Sequence, residues 1–320
     1  MPARIPLILG GGDFGDADKR GRVTDPAVAQ QFLDYMVEHG HIGVDTSRIY
    51  CKGSSEKLIA QLDFRGKARV DTKVHPQQPG DHAPARLQEL FTTSRDTLGG
   101  HKIRVFYLHA PDRSVPFEDT LAAADALHKA GHFEQLGLSN YMAWEVAEIA
   151  GICARRGFVP PTVYQGVYNL LDRRVEDELF PCLRKHGIAY AAYSPLAGGF
   201  LTDRFFVPAP GGDVPLQKFD LRYTPSWYQD RYYPMAAAVA ELLGVVKAHG
   251  LTLTEVAYRW LEWHSMLRPG DHGIVMAASR LEQVEGSVAD CDKGPLPEAV
   301  VEACEEAWRK SKALAKPYWL

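Results

Sequence analysis

Apolar and polar positions along the chain fall into two alternating patterns. The first consists of short runs that are mostly apolar at every position, which is typical of strands covered on both faces of a sheet. Eight such runs occur, at residues 6–9, 42–45, 68–73, 103–109, 135–139, 163–165, 188–193 and 273–276. They predict a sheet of buried strands.

The segments between these runs repeat apolar residues at helical spacing. Asp25 can cap a helix over residues 26–39, with Pro26 at its first position and Gly40 at its end. Further helices are predicted at residues 55–62, 84–98, 117–129, 144–156, 176–186, 235–248, 253–264, 281–289 and 298–313. The last of these follows the final strand as a C-terminal helix.

Strands that alternate with helices in this way predict a (β/α)8 TIM barrel, formed as a single domain over residues 1–320. A doubly wound open sheet is the competing architecture, because counting the elements does not exclude it. Residues 196–233 are rich in proline, glycine and aromatic residues and have no periodicity. A loop of this length in a compact domain is usually functional, so we expect it at the C-terminal face of the barrel.

Composition and charge narrow the classes of function. Apolar residues make up 46% of the chain and charged residues 24%, as in ordinary soluble globular proteins. A net charge of −4 gives no basic surface for nucleic acid, and no apolar run is long enough to span a membrane. The N-terminus has no signal-peptide pattern, and the five cysteines lack a C-x-x-C motif. We therefore expect a cytoplasmic protein with reduced thiols and no metal site.

Four chemically distinct side chains lie at or near the ends of neighbouring predicted strands. Asp45, Lys73 and His109 end the strands, and Tyr50 lies in the loop after Asp45. A phenol has a pKa of about 10 and is a poor acid at neutral pH, but an adjacent ammonium lowers that pKa. Taken alone, each residue has a simpler explanation. Asp45 could be a cap and Tyr50 a packed aromatic, while Lys73 could be solvated and His109 a core histidine. Together they predict protonation of a carbonyl oxygen while another group delivers hydride.

Residues 10–15 match the G-x-G-x-x-G fingerprint of dinucleotide-binding domains. The fingerprint requires a helix to begin at this point, so that the helix N-terminus receives the pyrophosphate. The sequence that follows has no apolar face. We therefore interpret the motif as a glycine-rich turn at which the backbone can approach a ligand.

Residues at the ends of the later strands are suited to binding an amide, a ring and phosphates. Side chains that can hydrogen-bond a planar amide are Ser139, Asn140 and Gln165. Residues that can stack on a ring and wrap a phosphate chain are Tyr193, Ser194, Leu196 and Gly198. Ser279 and Arg280 open a predicted helix, whose N-terminus favours phosphate through its dipole and free N–H groups. Turn and cap chemistry remains the alternative for the amide-binding residues and for Ser279.

These motifs, in this order, resemble the aldo-keto reductase superfamily over nearly the whole chain. The matching positions are residues 44–46, 50, 53–56, 72–73, 107–109, 137–140, 164–165, 193–196 and 278–283. The closest resemblance is to the aflatoxin aldehyde reductase group, carried by residues 106–112, 140–148, 161–169 and 178–184. The resemblance implies a barrel without a Rossmann domain, NADPH as the hydride donor, and reduction of aldehydes or ketones.

The resemblance also implies a role for each matching residue. Tyr50 is implied to be the general acid, tuned by the pair of Lys73 and Asp45, and His109 to orient the carbonyl. Residues implied to contact the nicotinamide are Ser139, Asn140, Gln165 and Tyr193. Residues implied to hold the adenosine phosphate are Ser279, Arg280 and Gln283. Gly286 and Ser287 depart from the family's usual Glu-Asn, which predicts weaker contacts to adenine.

The substrate and the partners are predicted less closely. We expect a small-molecule carbonyl substrate contacted by Trp227 and Arg231, and a homodimer is left open. Arg231 would hold a substrate carboxylate, and a surface ion pair with Asp230 is the alternative. Two other functions remain open, which are a cofactor-binding regulatory subunit resembling potassium-channel β subunits, and a barrel lyase or isomerase.

Overall fold

Eight parallel strands close into a barrel in sequence order in the computed structural model, which describes residues 4–206 and 226–320. The strands are β1 (Leu7–Gly10), β2 (Gly43–Asp45), β3 (Arg69–Val74), β4 (Ile103–Leu108), β5 (Phe133–Ser139), β6 (Pro161–Val167), β7 (Ala189–Tyr193) and β8 (Gly273–Met276). β1 pairs with both β2 and β8, which closes the barrel. The predicted barrel is confirmed, and the open sheet is excluded.

The strands read as continuous apolar runs because side chains are buried both inside and outside the barrel. Inside, Val105, Tyr107, Val163 and Ala191 form a separate buried cluster. Gly137 of β5 makes room for it, because a Cβ at this position would lie 2.2 Å from the Tyr107 ring. Outside, the strands pack against the surrounding helices in one continuous core.

Helices lie between and after the strands, close to the predicted positions. They are α1 (Pro26–Glu38), α2 (Ser54–Ile59), α3 (Pro84–Thr97), α4 (Phe117–Lys129), α5 (Ala143–Arg156), α6 (Leu179–Lys185), α7 (Asp203–Phe206), α8 (Trp227–Tyr232), α9 (Ala236–Ala248), α10 (Leu253–Trp263), α11 (Leu281–Asp292) and α12 (Glu298–Ser311). Asp25 caps α1 as predicted, accepting a hydrogen bond from the Ala27 N–H at 2.8 Å.

Two predictions for the chain's local structure need correction. The helix predicted over residues 176–186 divides into the 3₁₀ turn Arg174–Glu176 and the shorter helix α6. The irregular loop predicted over residues 196–233 contains α7 and α8, and its residues 207–225 lie outside the described part. α8 forms because Ser226 caps it, accepting from the Gln229 N–H at 3.2 Å.

The glycine-rich motif after β1 forms a turn, as interpreted. Gly11–Asp13 is a 3₁₀ turn that ends in the extended residue Phe14, and no α-helix begins there. No single helix in the described residues is long and apolar enough to cross a membrane. One bent pair of segments, Trp227–Ala248 and Leu253–Trp263, is long and apolar enough only when the two are taken together.

Candidate active site

The four predicted catalytic residues converge at the carboxyl ends of β2, β3 and β4. Asp45 is the last residue of β2, Lys73 is next to last in β3, and His109 directly follows β4. Tyr50 begins the 3₁₀ turn Tyr50–Gly53. Asp45, Tyr50 and His109 line one large cavity, whereas Lys73 is fully buried behind them.

Lys73 joins the loop to the strands through its three ammonium protons. Its Nζ donates to Asp45 Oδ2 at 2.6 Å, to the Thr46 carbonyl at 2.8 Å and to Tyr50 Oη at 3.4 Å. The other carboxylate oxygen of Asp45 accepts from Gln165 Nε2 at 2.8 Å. The lysine is therefore held between a carboxylate and the phenol, as the sequence predicts.

The loop that carries Tyr50 is anchored by a buried carboxylate. Arg48 Nη1 donates to Glu56 Oε2 at 2.5 Å, and Thr72 Oγ1 donates to Glu56 Oε1 at 2.7 Å. Cys51 and Lys52 have positive φ angles of 46° and 51°, which is costly for residues with a Cβ. The hydrogen bonds of Glu56 hold the loop in this conformation and so fix the position of the Tyr50 phenol.

Burial shifts the pKa of the Tyr50 phenol in the direction opposite to the predicted one. It raises the pKa of Tyr50 well above its ordinary value, and the negative charge of Asp45 acts in the same direction. The expected net lowering of this pKa is not met, because burial and the charge of Asp45 together outweigh the attraction of the Lys73 ammonium. Tyr50 keeps its proton at neutral pH and is available as a proton donor.

The neighbouring groups are also shifted toward their neutral forms by burial. Burial lowers the pKa of Lys73 and raises the pKa of Asp45, while their mutual attraction opposes both shifts. Burial, then the charge of Lys73, holds the pKa of His109 well below its ordinary value. His109 is therefore a neutral imidazole at neutral pH. Its ring lies edge-on to the Tyr50 ring, with centroids 5.8 Å apart.

The cavity, about 940 Å³ in volume, runs from the catalytic residues to the N-terminus of α11. It is lined by most of the predicted binding residues: Asn140, Gln165, Tyr193, Ser194, Leu196, Gly198, Trp227, Ser279, Arg280 and Gln283. Ser139 is buried behind Asn140 and is not among the residues that line the cavity. This size and length suit an extended ligand rather than a small molecule alone.

The side-chain amides of Asn140 and Gln165 differ in how many of their hydrogen-bonding groups already have partners within the protein. Asn140 Nδ2 donates to the His109 carbonyl at 2.8 Å and to Ser139 Oγ at 3.0 Å. Asn140 Oδ1 accepts from Tyr193 Oη at 3.0 Å. Gln165 Nε2 donates to Asp45, and its carbonyl oxygen accepts no hydrogen bond from the described residues. Gln165 is thus better suited to bind a ligand amide, and Asn140 mainly fixes its neighbours.

The loop after β7 has an unusual backbone conformation. Ser194, Ala197 and Gly198 all have positive φ angles, between 50° and 69°. Gly198 is required here, because a Cβ would lie 2.2 Å from the Tyr228 ring. Such strained backbone clusters at ligand clamps, and it turns this loop toward the cavity.

The far end of the cavity is formed by the start of α11. Gln283 Oε1 accepts from both the N–H and the hydroxyl of Ser279, at 2.8 and 3.2 Å. Arg280 is exposed, and no ion pair of its guanidinium occurs among the described residues. Gly286 leaves open space, since nothing lies within 4 Å of a Cβ placed there. A charged, open site at a helix N-terminus suits a phosphate group.

Several cavity residues were not predicted. His75, Arg22 and Tyr258 line the cavity. His75 directly follows β3, two residues after Lys73, and this position is the available signal. The Tyr258 hydroxyl is buried beside Ser287 of α11. No local signal marks Tyr258, because it lies within the amphipathic pattern of α10.

Arg231 corrects a prediction about the substrate site. It is 3% exposed, and its Nε donates to the buried carboxylate of Asp172. Its other nitrogens donate to the carbonyls of Pro317 at 2.9 Å and Lys316 at 3.3 Å. Arg231 is not among the residues lining the cavity, and its donors are engaged within the protein. Asp230 pairs instead with Lys316.

Known proteins with similar sequences identify the family. The Aldo/keto reductase family profile matches residues 6–309. The chain belongs to the aldo-keto reductase family. An aldo-keto reductase of Pseudocercospora fijiensis is 40% identical over 299 residues, covering 90% of this chain and 99% of its own length. The human aldo-keto reductase family 7 member A3 is 38% identical, with 96% of this chain and 94% of its own length covered.

A second human relative supports the same group. Aflatoxin B1 aldehyde reductase member 4 is 37% identical over 319 residues, covering 96% of this chain and 94% of its own length. The predicted resemblance to the aflatoxin aldehyde reductase group is thereby confirmed. This aldo-keto reductase is an oxidoreductase that acts on carbonyl compounds.

Proposed function

We propose that this aldo-keto reductase uses NADPH to reduce aldehydes or ketones to alcohols, with Tyr50 as the proton donor. The observation that carries the proposal is the position of Tyr50 Oη, 3.4 Å from Lys73 Nζ in the wall of the cavity. A protonated phenol at this position can give its proton to a carbonyl oxygen as hydride reaches the carbonyl carbon.

The cofactor fits the residues that line the cavity. NADPH supplies hydride when it is bound. Gln165 offers a free amide oxygen to the carboxamide, and Tyr193 offers an aromatic surface beside it. The strained loop at Ser194 to Gly198 can follow a phosphate chain, and Arg280 at the start of α11 can pair with a further phosphate.

Lys73, Asp45 and His109 assist the proton transfer from Tyr50. When Tyr50 gives up its proton, the phenolate that remains faces the ammonium of Lys73, which stabilises the negative charge. Asp45 keeps that ammonium charged through a 2.6 Å contact. Neutral His109 beside the phenol can hydrogen-bond the substrate oxygen and orient it.

Aromatic residues at the cavity favour a planar carbonyl substrate. Trp227 is 40% exposed and lines the cavity, with its ring centroid 6.4 Å from that of Tyr193. Tyr228 and His75 line the same cavity. Flat ring surfaces of this kind stack on planar substrates, so we infer that aromatic aldehydes are good substrates.

Replacing Tyr50 by phenylalanine tests the proposal. Tyr50→Phe removes the proton donor, and loss of general-acid catalysis costs about 10²–10⁴-fold in turnover. Turnover of an aromatic aldehyde should fall by this factor, while quenching of protein fluorescence by NADPH stays close to wild type. If the variant keeps more than about a third of wild-type turnover when chemistry is rate-limiting, Tyr50 is not the acid.

A further inference from the structure

Ser47 lies in the catalytic loop between Asp45 and Tyr50, and its side chain contacts His109. It is fully buried, and its Oγ lies 3.1 Å from His109 Nδ1. Oγ also lies 3.2 Å from the Lys73 carbonyl oxygen and accepts weakly from the Ile49 N–H at 3.5 Å. A hydroxyl carries only one hydrogen, so it can donate to Nδ1 or to the carbonyl, but not to both.

This choice decides which ring nitrogen of His109 carries its hydrogen. The imidazole is neutral, because burial and the charge of Lys73 hold its pKa low. If Ser47 donates to Nδ1, the hydrogen of the ring sits on Nε2. If Ser47 donates to the Lys73 carbonyl, Nδ1 carries the hydrogen, and Nε2 presents a lone pair instead.

The surrounding hydrogen bonds favour the first arrangement. In the first arrangement every group keeps a partner, because the Lys73 carbonyl still accepts from the Arg48 N–H at 3.0 Å and Ser47 Oγ still accepts from the Ile49 N–H at 3.5 Å. Nδ1 has no partner other than Ser47 among the described residues. The contact with Nδ1 is also the shorter of the two.

The position of the hydrogen matters for a carbonyl substrate. A carbonyl oxygen is only an acceptor, so it needs a donor on the ring. His109 lines the cavity, and its Nε2 makes no hydrogen bond to the described residues. An Nε2–H can therefore donate to the substrate, whereas a lone pair on Nε2 would repel the carbonyl oxygen.

We propose that Ser47 is a positioning residue that donates its hydroxyl hydrogen to His109 Nδ1 and so keeps the hydrogen of the neutral imidazole on Nε2, ready for the substrate carbonyl. Its value for catalysis rests on the proposed reductase function. The hydrogen-bond assignment itself does not, because the tautomer of His109 exists in the protein without cofactor or substrate.

Nitrogen-15 NMR of histidine-labelled protein measures the tautomer directly. The His109 signals are assigned as those that disappear in His109→Asn. In wild type we expect Nε2 to carry the hydrogen and Nδ1 to be an unprotonated acceptor. In Ser47→Ala the tautomer ratio should shift by roughly twofold to tenfold toward Nδ1–H, the effect of losing one neutral hydrogen bond.

Ser55→Ala is the matched control. Ser55 is also fully buried in this region, but its hydroxyl contacts Thr46 Oγ1 and the Gly11 carbonyl rather than His109. This variant should leave the His109 tautomer unchanged. Ser47→Thr, which keeps the hydroxyl, should restore the wild-type signals, and Ser47→Cys serves the same purpose with a weaker donor if the threonine methyl group disturbs folding.

Two results would overturn the proposal: a wild-type His109 with hydrogen on Nδ1, or a Ser47→Ala spectrum with an unchanged tautomer. In the kinetic arm, Ser47→Ala should lower kcat/KM for an aromatic aldehyde about twofold to tenfold, while NADPH still quenches fluorescence as in wild type. Failure of the Tyr50→Phe test would reject the reductase mechanism and leave the NMR result standing. The two proposals can thus fail separately.

Discussion

At the scale of single residues, the site depends on a lysine whose charge serves two neighbours. Lys73 is fully buried and contacts both Asp45 and Tyr50. The sequence predicts this grouping, because parallel strands end at one face of a barrel. It does not predict the direction of the pKa shift at Tyr50, since the degree of burial depends on side chains distant in sequence.

Lys73→Met should reduce activity for two separable reasons. The phenolate loses its stabilising charge, so turnover should fall by about 10²-fold or more and the pH profile should change. Asp45 is also left buried without its cation, which costs about 3–5 kcal/mol of folding stability. Kinetics across pH and urea unfolding measure the two effects.

The double variant Lys73→Met with Asp45→Asn separates these effects. It removes the unpaired charge, so stability should recover toward wild type while activity stays low. A wild-type pH profile in Lys73→Met, or recovery of activity in the double variant, would show that Lys73 acts only through stability.

Arg280 provides a second prediction at this scale. Arg280→Glu should weaken NADPH binding far more than NADH binding, because only NADPH carries the extra phosphate. A charge-assisted hydrogen bond is worth about 1.5–3 kcal/mol, or roughly 10- to 150-fold in affinity. Fluorescence titration with each cofactor measures it. Tyr258→Phe, which removes an uncharged hydroxyl from another residue that lines the cavity, is the control and should affect the two cofactors alike.

At the scale of elements, local pattern predicts most of the barrel and fails where partners are distant. β8 and α4 match their predicted bounds, because each is an apolar or periodic run with clear ends. α8 is not predicted, since its six residues are all aromatic or polar and carry no visible period. Its fixed position comes from Arg231, whose partner Asp172 lies 59 positions earlier.

Arg231→Ala should therefore act on structure rather than on substrate choice. Asp172 would remain buried and unpaired, which costs about 3–5 kcal/mol. The efficiencies for benzaldehyde and 2-carboxybenzaldehyde should fall by similar factors. Lys316→Ala, which breaks an exposed pair with Asp230, is the control and should change stability by no more than about 1 kcal/mol. A loss confined to the acidic substrate would restore the predicted role of Arg231 as a carboxylate anchor.

At the scale of the whole molecule, the beginning of the barrel is tied to a helix near its end. Glu262 of α10 accepts from the backbone N–H groups of Arg4 and Ile5 through one oxygen, at 2.9 and 3.0 Å. Its other oxygen is buried, and the thiol of Cys291 lies beside the carboxyl group. This contact joins residues 257 and 258 positions apart, so no local pattern predicts it.

Burial raises the pKa of Glu262 to about 7, above its unfolded value of about 4.3. Between these two values the folded protein binds a proton that the unfolded chain releases. Stability should therefore fall as the pH rises through this window and become independent of Glu262 above it. The loss amounts to about 4 kcal/mol at most, since the two pKa values differ by about 2.7 and each pKa unit corresponds to about 1.4 kcal/mol.

Glu262→Gln tests this coupling, because glutamine can accept the same two backbone hydrogen bonds but does not titrate. Urea unfolding at pH 5 and pH 8 should show a decline in wild-type stability that is absent or much smaller in the variant. Glu302→Gln, at an exposed position on α12, is the control and should keep the wild-type slope. If Glu262→Gln and wild type lose stability equally between these pH values, Glu262 is ionised in the fold, and another group must account for the slope.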